Sequence, residues 1–412
     1  MNQTKVKTQQ PFHVMTKPIG PICNLDCEYC FYLKKEDLYP ETKSFRMTDE
    51  VLENYVRSYI EAQPTNEVVF AFQGGEPTLM GLRFFEKVVA YQKQYKRRGM
   101  TIQNTLQTNG TLLNDDWGTF LKKHKFLVGI SLDGPPNLHD KYRFDKQGRP
   151  SHQQVVDGIR CLQAHQVDYN ILCVVNECNA QKPVEVYNYI KSLDVEYMQF
   201  IPIVEHFGDG DQVSPRSVGA KQYGQFLSAI FDEWVQKDIG KIFVQIFDIA
   251  LEAWLGYNPS LCIFNETCGS ALALEHNGDL YSCDHYVEPE YLVGNINHQT
   301  MQELIESDFQ IKFGNDKKDT LPQYCLDCEV KFMCNGGCPK NRFIKTPDGE
   351  DGLNYLCQGY RHFFNHIDQP MKLMAAALER GQPATSIMAV MQKRRAGKNQ
   401  STKRPRRKRR RQ

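Results

Sequence analysis

From Phe12 to about Pro202, short apolar runs alternate with stretches whose apolar residues recur at helical spacing. FHVMTKP (12–18), EVVFAFQGGE (67–76), IQNTLQTNG (102–110), FLVGISLDG (126–134), VDYNILCVVN (167–176) and VEYMQFIP (195–202) read as strands. They are rich in β-branched and aromatic residues, and most close on Gly, Asn or Pro. Helices are predicted over 48–62, 82–95, 117–123, 153–165 and 184–193. The first carries a start signal: Thr48 can cap it, with Val51 three residues on and Asp49 and Glu50 in the first turn. Six strand–helix alternations in about 190 residues imply parallel strands joined by crossover helices. Six units are too few to close an eight-fold barrel, which leaves an open partial barrel or a doubly wound sheet. Either form puts its site at the C-terminal strand ends, where QGGEP, QTNG, SLDG and QFIP sit.

Beyond Val204 the alternation stops, and residues up to Gly219 read as loop. A helix-rich stretch follows over 222–255. Cysteines then dominate from Cys262 to Cys357, with many glycines and little helical periodicity. So few apolar runs remain there that a small domain held together by metal is expected. A terminal helix is predicted over 360–381, stopped by Gly381 and Pro383. No repeat of 20–50 residues is visible.

Composition narrows the class. The 412 residues are 41% hydrophobic, enough for a substantial core, and no run nears the ~18 apolar residues of a membrane span. The first residues, MNQTKVKTQQPF, contain no apolar core of a secretory signal, which predicts a cytoplasmic protein. The net charge of +1 conceals two unlike parts. Lys393 to Arg411 holds twelve Lys or Arg and no acid, whereas residues 1–392 carry 38 basic against 49 acidic side chains. Such a run could bind an acidic surface or nucleic acid, but a solvated tail with no specific partner is the expectation.

Fourteen cysteines in a reducing compartment point to metal or redox work rather than disulfides. Cys23, Cys27 and Cys30 crowd one short loop directly after the first strand. Three thiolates can hold three irons of a cubane [4Fe–4S] cluster and leave the fourth iron open. A structural zinc would need a fourth ligand, which His13 on the preceding strand is poorly placed to give. The second set is Cys262, Cys268, Cys283, Cys325, Cys328, Cys334, Cys338 and Cys357, enough for two fully ligated sites. By itself that set fits a zinc-ribbon pair as well as iron–sulfur clusters. The open first site tips the reading toward iron, since one redox centre needs others to pass electrons. Cys161, Cys173 and Cys178 remain and are read as core residues.

The C-x3-C-x2-C loop after a first strand, Tyr29 before its last cysteine, and Gln73-Gly74-Gly75-Glu76-Pro77 resemble the radical S-adenosylmethionine (SAM) superfamily. The later cysteines are similar to a SPASM domain. LQTNG, GISLDGP, NILCVVN and CDHY extend the resemblance, from about Phe12 to Phe364, to the anaerobic sulfatase-maturating enzymes. The resemblance implies an α/β fold: a partial (β/α)6 TIM-like barrel followed by a small cysteine-rich iron–sulfur domain. On this reading the barrel spans 12–215, a helical linker 216–258, the SPASM domain 259–364, a C-terminal helix 365–390 and a basic disordered tail 391–412.

The resemblance also implies three [4Fe–4S] clusters and SAM. Cys23, Cys27 and Cys30 would hold the SAM-cleaving cluster. Tyr29, Gly75, Ser131, Arg143 and Val204 would contact SAM, Gly75 by leaving room for its amino group and Val204 by touching the adenine. Cys262, Cys268, Cys283 and Cys338 would hold one auxiliary cluster, and Cys325, Cys328, Cys334 and Cys357 the other. Asp284 would deprotonate the substrate, while Gln73 and Tyr32 would hold the peptide. Asp133 is read as a loop stabiliser and His285 as a supporting group. The implied activity oxidises a Ser or Cys in the C/S-x-P-x-R motif of a sulfatase to Cα-formylglycine. The implied partners are that sulfatase and a flavodoxin- or ferredoxin-type electron donor, with no membrane or nucleic acid, and the chain acting as a monomer. Two alternatives share much of the pattern: a SPASM enzyme that crosslinks a small peptide, and a zinc-ribbon protein that binds nucleic acid through its tail.

Overall fold

The computed structural model describes residues 10–208 and 210–393. The basic run read as a tail lies outside the described residues except for its first members. The alternating half consists of β1 (His13–Lys17), α1 (Asp49–Ala62), β2 (Glu67–Phe72), α2 (Leu82–Tyr95), β3 (Thr101–Thr108), α3 (Asp115–Lys123) and β4 (Phe126–Ser131). It continues with α4 (Pro136–His139), α5 (His152–Ala164), β5 (Tyr169–Val175), α6 (Pro183–Lys191) and β6 (Tyr197–Pro202). All six strands are parallel, and each pairs with its neighbour in sequence. A doubly wound sheet would reverse that order at a switch point. The unbroken 1-to-6 order is that of a partial barrel.

Alternating residues explain the layers. Val14, Phe70, Phe72, Leu106, Val128 and Ile171 are buried in one core with the inward faces of the helices. Thr48 caps α1 by accepting from the Val51 N–H, as its sequence predicts. Tyr59 of α1 packs on Phe70 of β2, and its hydroxyl donates to the Val69 carbonyl at 3.0 Å. A large ring is thereby buried without orphaning its polar end.

The sheet continues past the barrel on both edges. A two-residue β7 (Phe243–Val244), between α7 (Ala220–Lys237) and α8 (Gln245–Trp254), pairs with β6. On the other edge β8 (Ala271–Glu275) runs parallel to β1, with Lys17 opposite Glu275. The antiparallel β9 (Asp279–Tyr281) and β10 (Leu292–Asn295) complete a ten-stranded sheet. The cysteine-rich segment is thus built directly onto the first barrel strand.

The rest of that segment comprises α9 (Met301–Ile305), α10 (Asp308–Asp319), α11 (Gln323–Leu326) and α12 (Lys331–Cys334). The twelve-residue α10 has no counterpart in the sequence reading. Its buried residues are Gln310, Gly314 and Lys317, so apolar spacing carried no signal. The final α13 (Cys357–Glu379) begins one turn before its predicted start and lies across α7. Gly359 makes that crossing possible, because a Cβ there would come 2.1 Å from the Ala220 carbonyl oxygen.

Candidate active site

The loop after β1 carries Cys23, Cys27 and Cys30 and is clamped by the segment after β4. Asp26 and Glu28 donate their N–H groups to the carbonyls of Phe144 and Tyr142 at 2.8 and 3.0 Å. The Leu25 N–H and the Asn109 amide donate to the Cys23 sulfur, at 3.3 and 3.7 Å. Burial pushes the Cys23 thiol up to about 12 and the Cys27 thiol up to about 11, the latter against the pull of Arg143. Such thiols become thiolates only when a cation takes their protons' place.

Gly75 closes on this loop. A Cβ there would lie 2.0 Å from the Ile22 carbonyl oxygen and 2.7 Å from the Pro21 carbonyl carbon. The missing side chain therefore lets the chain's own backbone close on the turn. Glu76, wholly buried, locks the turn: it accepts from the N–H and hydroxyl of Thr78, from the Thr108 hydroxyl, and from the Asn109 N–H.

Behind the loop, Tyr29 donates its hydroxyl to Asp133, and Arg143 donates to the Tyr29 oxygen at 3.0 Å. Asp133 also accepts from the Val174 N–H, as befits a group that fixes loops. The Arg143 Nε is buried without a partner, an orphan donor beside Cys27 that fits an incoming carboxylate. Ser131 accepts from the Gln107 amide at 3.2 Å. Val204 belongs to the main core, and Ile203 instead packs with Leu25, Cys27, Tyr29 and Tyr142.

The other eight thiols form two groups. Cys262, Cys268 and Cys283 each feel the charge of Cys338, while Cys334 and Cys357 feel those of Cys325 and Cys328. Cys325, Cys328, Cys334 and Cys357 line one cavity with Arg361. A single zinc ion would draw its sulfurs to about 3.8 Å from one another. Among the described residues, no three of the eleven clustered thiols lie within 4.8 Å of one another.

Beside these thiols stand two cations that no sequence pattern announced. Lys317 of α10, 1% exposed, donates to the Cys262 and Ile263 carbonyls at 2.7 and 3.1 Å. Arg342 donates to the carbonyls of Lys317, Asn335 and Gly336 and feels thiols from both groups. Neither had a signal in sequence, since each lies in a polar stretch whose burial only the folded chain reveals.

Asp284 follows Cys283 directly and ion-pairs with Lys17, the last residue of β1. Lys17 also donates to the Gln73 Oε1 at 3.0 Å, and its ammonium lies 4.6 Å from the centre of the Tyr32 ring. The Tyr32 hydroxyl in turn donates to Glu275 of β8. Burial pushes the Asp284 carboxyl up, yet Lys17, His285 and Lys340 outweigh it and hold it below the usual carboxylate range. His285 sits 3.5 Å from the Cys338 sulfur through its Nδ1, and burial with Lys340 pushes its imidazole down to about 4. Asp284, Gln73 and Tyr32, far apart in sequence, thus meet around one lysine.

Of the remaining cysteines, only Cys173 is fully buried. Cys161 is half-buried near Asp115 and His165, and Cys178 is half-buried against Lys141 and Glu177. Among the described residues no helix is long and apolar enough to cross a membrane.

Comparison with known proteins agrees with this geometry. Residues 18–190 match the radical SAM superfamily, and residues 262–329 match the SPASM iron–sulfur cluster-binding domain. The chain is 45% identical over 396 residues to the serine-type anaerobic sulfatase-maturating enzyme of Bacteroides thetaiotaomicron, covering 93% of this chain and 95% of that one. It is 37% identical over 371 residues to the cysteine-type anaerobic sulfatase-maturating enzyme of Clostridium novyi, covering 89% and 97%. The solved structure of native anSMEcpe with bound AdoMet and Cp18Cys peptide aligns with a TM-score of 0.81 and 35% identity, covering 90% of this chain and all of that one.

Proposed function

The chain belongs to the anaerobic sulfatase-maturating enzymes, and on that premise we propose how its own residues perform the oxidation. It is a radical SAM oxidoreductase that converts a Ser or Cys in the C/S-x-P-x-R motif of a sulfatase to Cα-formylglycine. Its cofactors are three [4Fe–4S] clusters and SAM. Bound, they would supply hydrogen-atom abstraction at the substrate β-carbon and an acceptor for the electron that oxidation releases.

The protein's part is position, charge and exclusion of water. Cys23, Cys27 and Cys30 hold the SAM-cleaving cluster in a loop clamped at Phe144 and Tyr142. Arg143, with its orphan Nε, would receive the SAM carboxylate, and Tyr29, Gly75, Ser131 and Val204 would complete the SAM contacts. Cys262, Cys268, Cys283 and Cys338 hold the first auxiliary cluster, and Cys325, Cys328, Cys334 and Cys357 the second. Lys317 and Arg342 offset the negative charge that two fully thiolate-ligated sites accumulate. A flavodoxin- or ferredoxin-type protein delivers electrons, and the enzyme works as a cytoplasmic monomer with residues 12–215 as barrel and 259–364 as auxiliary-cluster domain.

The observation that carries the reading is Asp284, tethered to the Cys283 thiol by one peptide bond and kept ionised by Lys17. A carboxylate there takes the hydroxyl or thiol proton beside the group that takes the electron. The test is an anaerobic incubation of reconstituted enzyme with SAM, a reductant, and serine- and cysteine-type motif peptides, with products read by mass spectrometry. Wild type yields deoxyadenosine and an aldehyde on at least one peptide. Asp284→Asn still yields deoxyadenosine but no aldehyde, and undiminished aldehyde from that variant removes Asp284 from its role.

A further inference from the structure

We propose that Lys17 is a positioning residue that presets the polarity of the substrate site, fixing Asp284 as its acceptor and Gln73 as its donor. The proposal rests on the reading of Asp284 given above. Lys17 closes β1 with a side chain only 1% exposed, flanked by β2 and β8. An ammonium has three donors and no acceptor, and burying one is not a route to stability, because a packed apolar residue usually does as well. Here the ammonium has three distinct neighbours: the Asp284 Oδ1, the Gln73 Oε1 and the face of Tyr32.

Two consequences follow from donor and acceptor chemistry. The Gln73 amide has its oxygen engaged, so the part that faces an incoming group is its NH2, which can only donate. Lys17 takes one oxygen of Asp284 and leaves the other for an incoming donor. A serine hydroxyl or a cysteine thiol has one hydrogen to give and lone pairs to receive, so it fits between the two. A side chain lacking either would leave a buried polar group unpaired, which is how a site rejects an apolar analogue. The lysine is itself held in register: Tyr32, beneath its ammonium, is pinned through its hydroxyl to Glu275, the residue opposite Lys17 in the sheet. The β1–β8 pairing thereby sets where Asp284 of the following segment points.

The experiment uses reconstituted holoenzyme carrying Lys17→Met or Lys17→Arg, with Asp284→Asn alongside. Iron content, SAM affinity, deoxyadenosine and aldehyde are measured, together with kcat and KM for the motif peptide. Lys17→Met is expected to keep its iron and cleave SAM, while aldehyde formed per deoxyadenosine falls about tenfold to a hundredfold through kcat rather than KM. Lys17→Arg returns part of that coupling. Wild-type coupling in Lys17→Met overturns the proposal, as does a loss of deoxyadenosine in proportion to aldehyde, which marks a merely structural lysine. Full aldehyde from Asp284→Asn defeats the underlying reading, whereas an inactive Asp284→Asn beside a fully coupled Lys17→Met defeats the lysine alone. If Lys17→Met loses iron, Gln73→Glu makes the same test without disturbing the barrel. It keeps an oxygen for Lys17 but replaces the free donor with an acceptor, so its coupling falls equally, and unchanged coupling there overturns the proposal.

Discussion

At the residue scale the site depends on buried polar groups, one of them, the Arg143 Nε, left without a partner and others held entirely by the chain. Glu76 is the plainest case, a wholly buried carboxyl with four donors from three residues. In Glu76→Gln one oxygen becomes an NH2 facing either the Asn109 N–H or the Thr78 and Thr108 donors, so at least one buried donor loses its acceptor. The expected loss is about 2–4 kcal/mol of stability. Because the same turn presses Gly75 against Ile22, SAM affinity should fall with it. Denaturant unfolding and SAM titration of the variant check both, and a fall in stability with unchanged SAM affinity would separate the turn from the ligand. The three-cysteine loop is legible in the sequence itself because a cluster demands thiols at close spacing, whereas Asp284 after Cys283 stands out through the resemblance of CDHY to the family. Lys17 was not legible. A lysine closing a strand reads as an exposed end, and only the parallel partner β8 shows that its side chain points into the barrel.

At the scale of elements, the six strands and the helices between them were readable because their apolar residues recur at strand or helix spacing. Elements held by other means were hidden. The polar α10 packs through Gly314, where a Cβ would lie 2.7 Å from the Cys268 carbonyl oxygen. Strand β8 is five residues long and pairs with a strand more than 250 positions away, so nothing local announces it. The α7–α13 crossing is of the same kind and yields a prediction. Gly359→Ala would push a methyl group into the Ala220 carbonyl and the Gly224 N–H, both backbone and unable to give way. Overpacking of this sort costs about 1–3 kcal/mol. Its functional reading is more specific, because Cys357 is the first residue of α13 and would shift with the helix. The expected outcome is iron falling from about twelve to about eight atoms per chain, with deoxyadenosine formation retained and aldehyde turnover reduced. Iron assay beside product analysis checks it; a full complement of iron would show that the crossing relaxes without disturbing the thiols.

At the scale of the whole molecule, the two halves are stabilised by different means, and metal should distinguish them. The barrel buries a continuous core in which Tyr55, Tyr59, Phe70, Phe72 and Phe85 are each fully enclosed. Residues 321–356 form only the four-residue α11 and α12, a short 3-10 turn and one isolated bridge between Ile344 and Leu353. Its apolar anchors are few, Val330, Met333 and Leu356 among them, and the rest is tied by polar groups: Arg342 and Asn354 hold its carbonyls together, and Asn335 reaches the Phe264 carbonyl. Such a scaffold buries too little apolar surface to offset its chain entropy, so the free energy of holding its clusters is largely its folding free energy. Removing iron with a chelator under anaerobic conditions should therefore melt this stretch and spare the barrel. Hydrogen exchange is the measurement. Amides of 321–356 are expected to exchange at least about a hundredfold faster, about 3 kcal/mol of local stability, while those of β2 to β5 keep their protection. The region around Cys23, Cys27 and Cys30 should loosen less, because it is also clamped to Tyr142 and Phe144. A uniform loss of protection would mean that the β1–β8 pairing carries cluster loss into the barrel, and no loss anywhere would mean that the polar ties alone suffice to fold the auxiliary half.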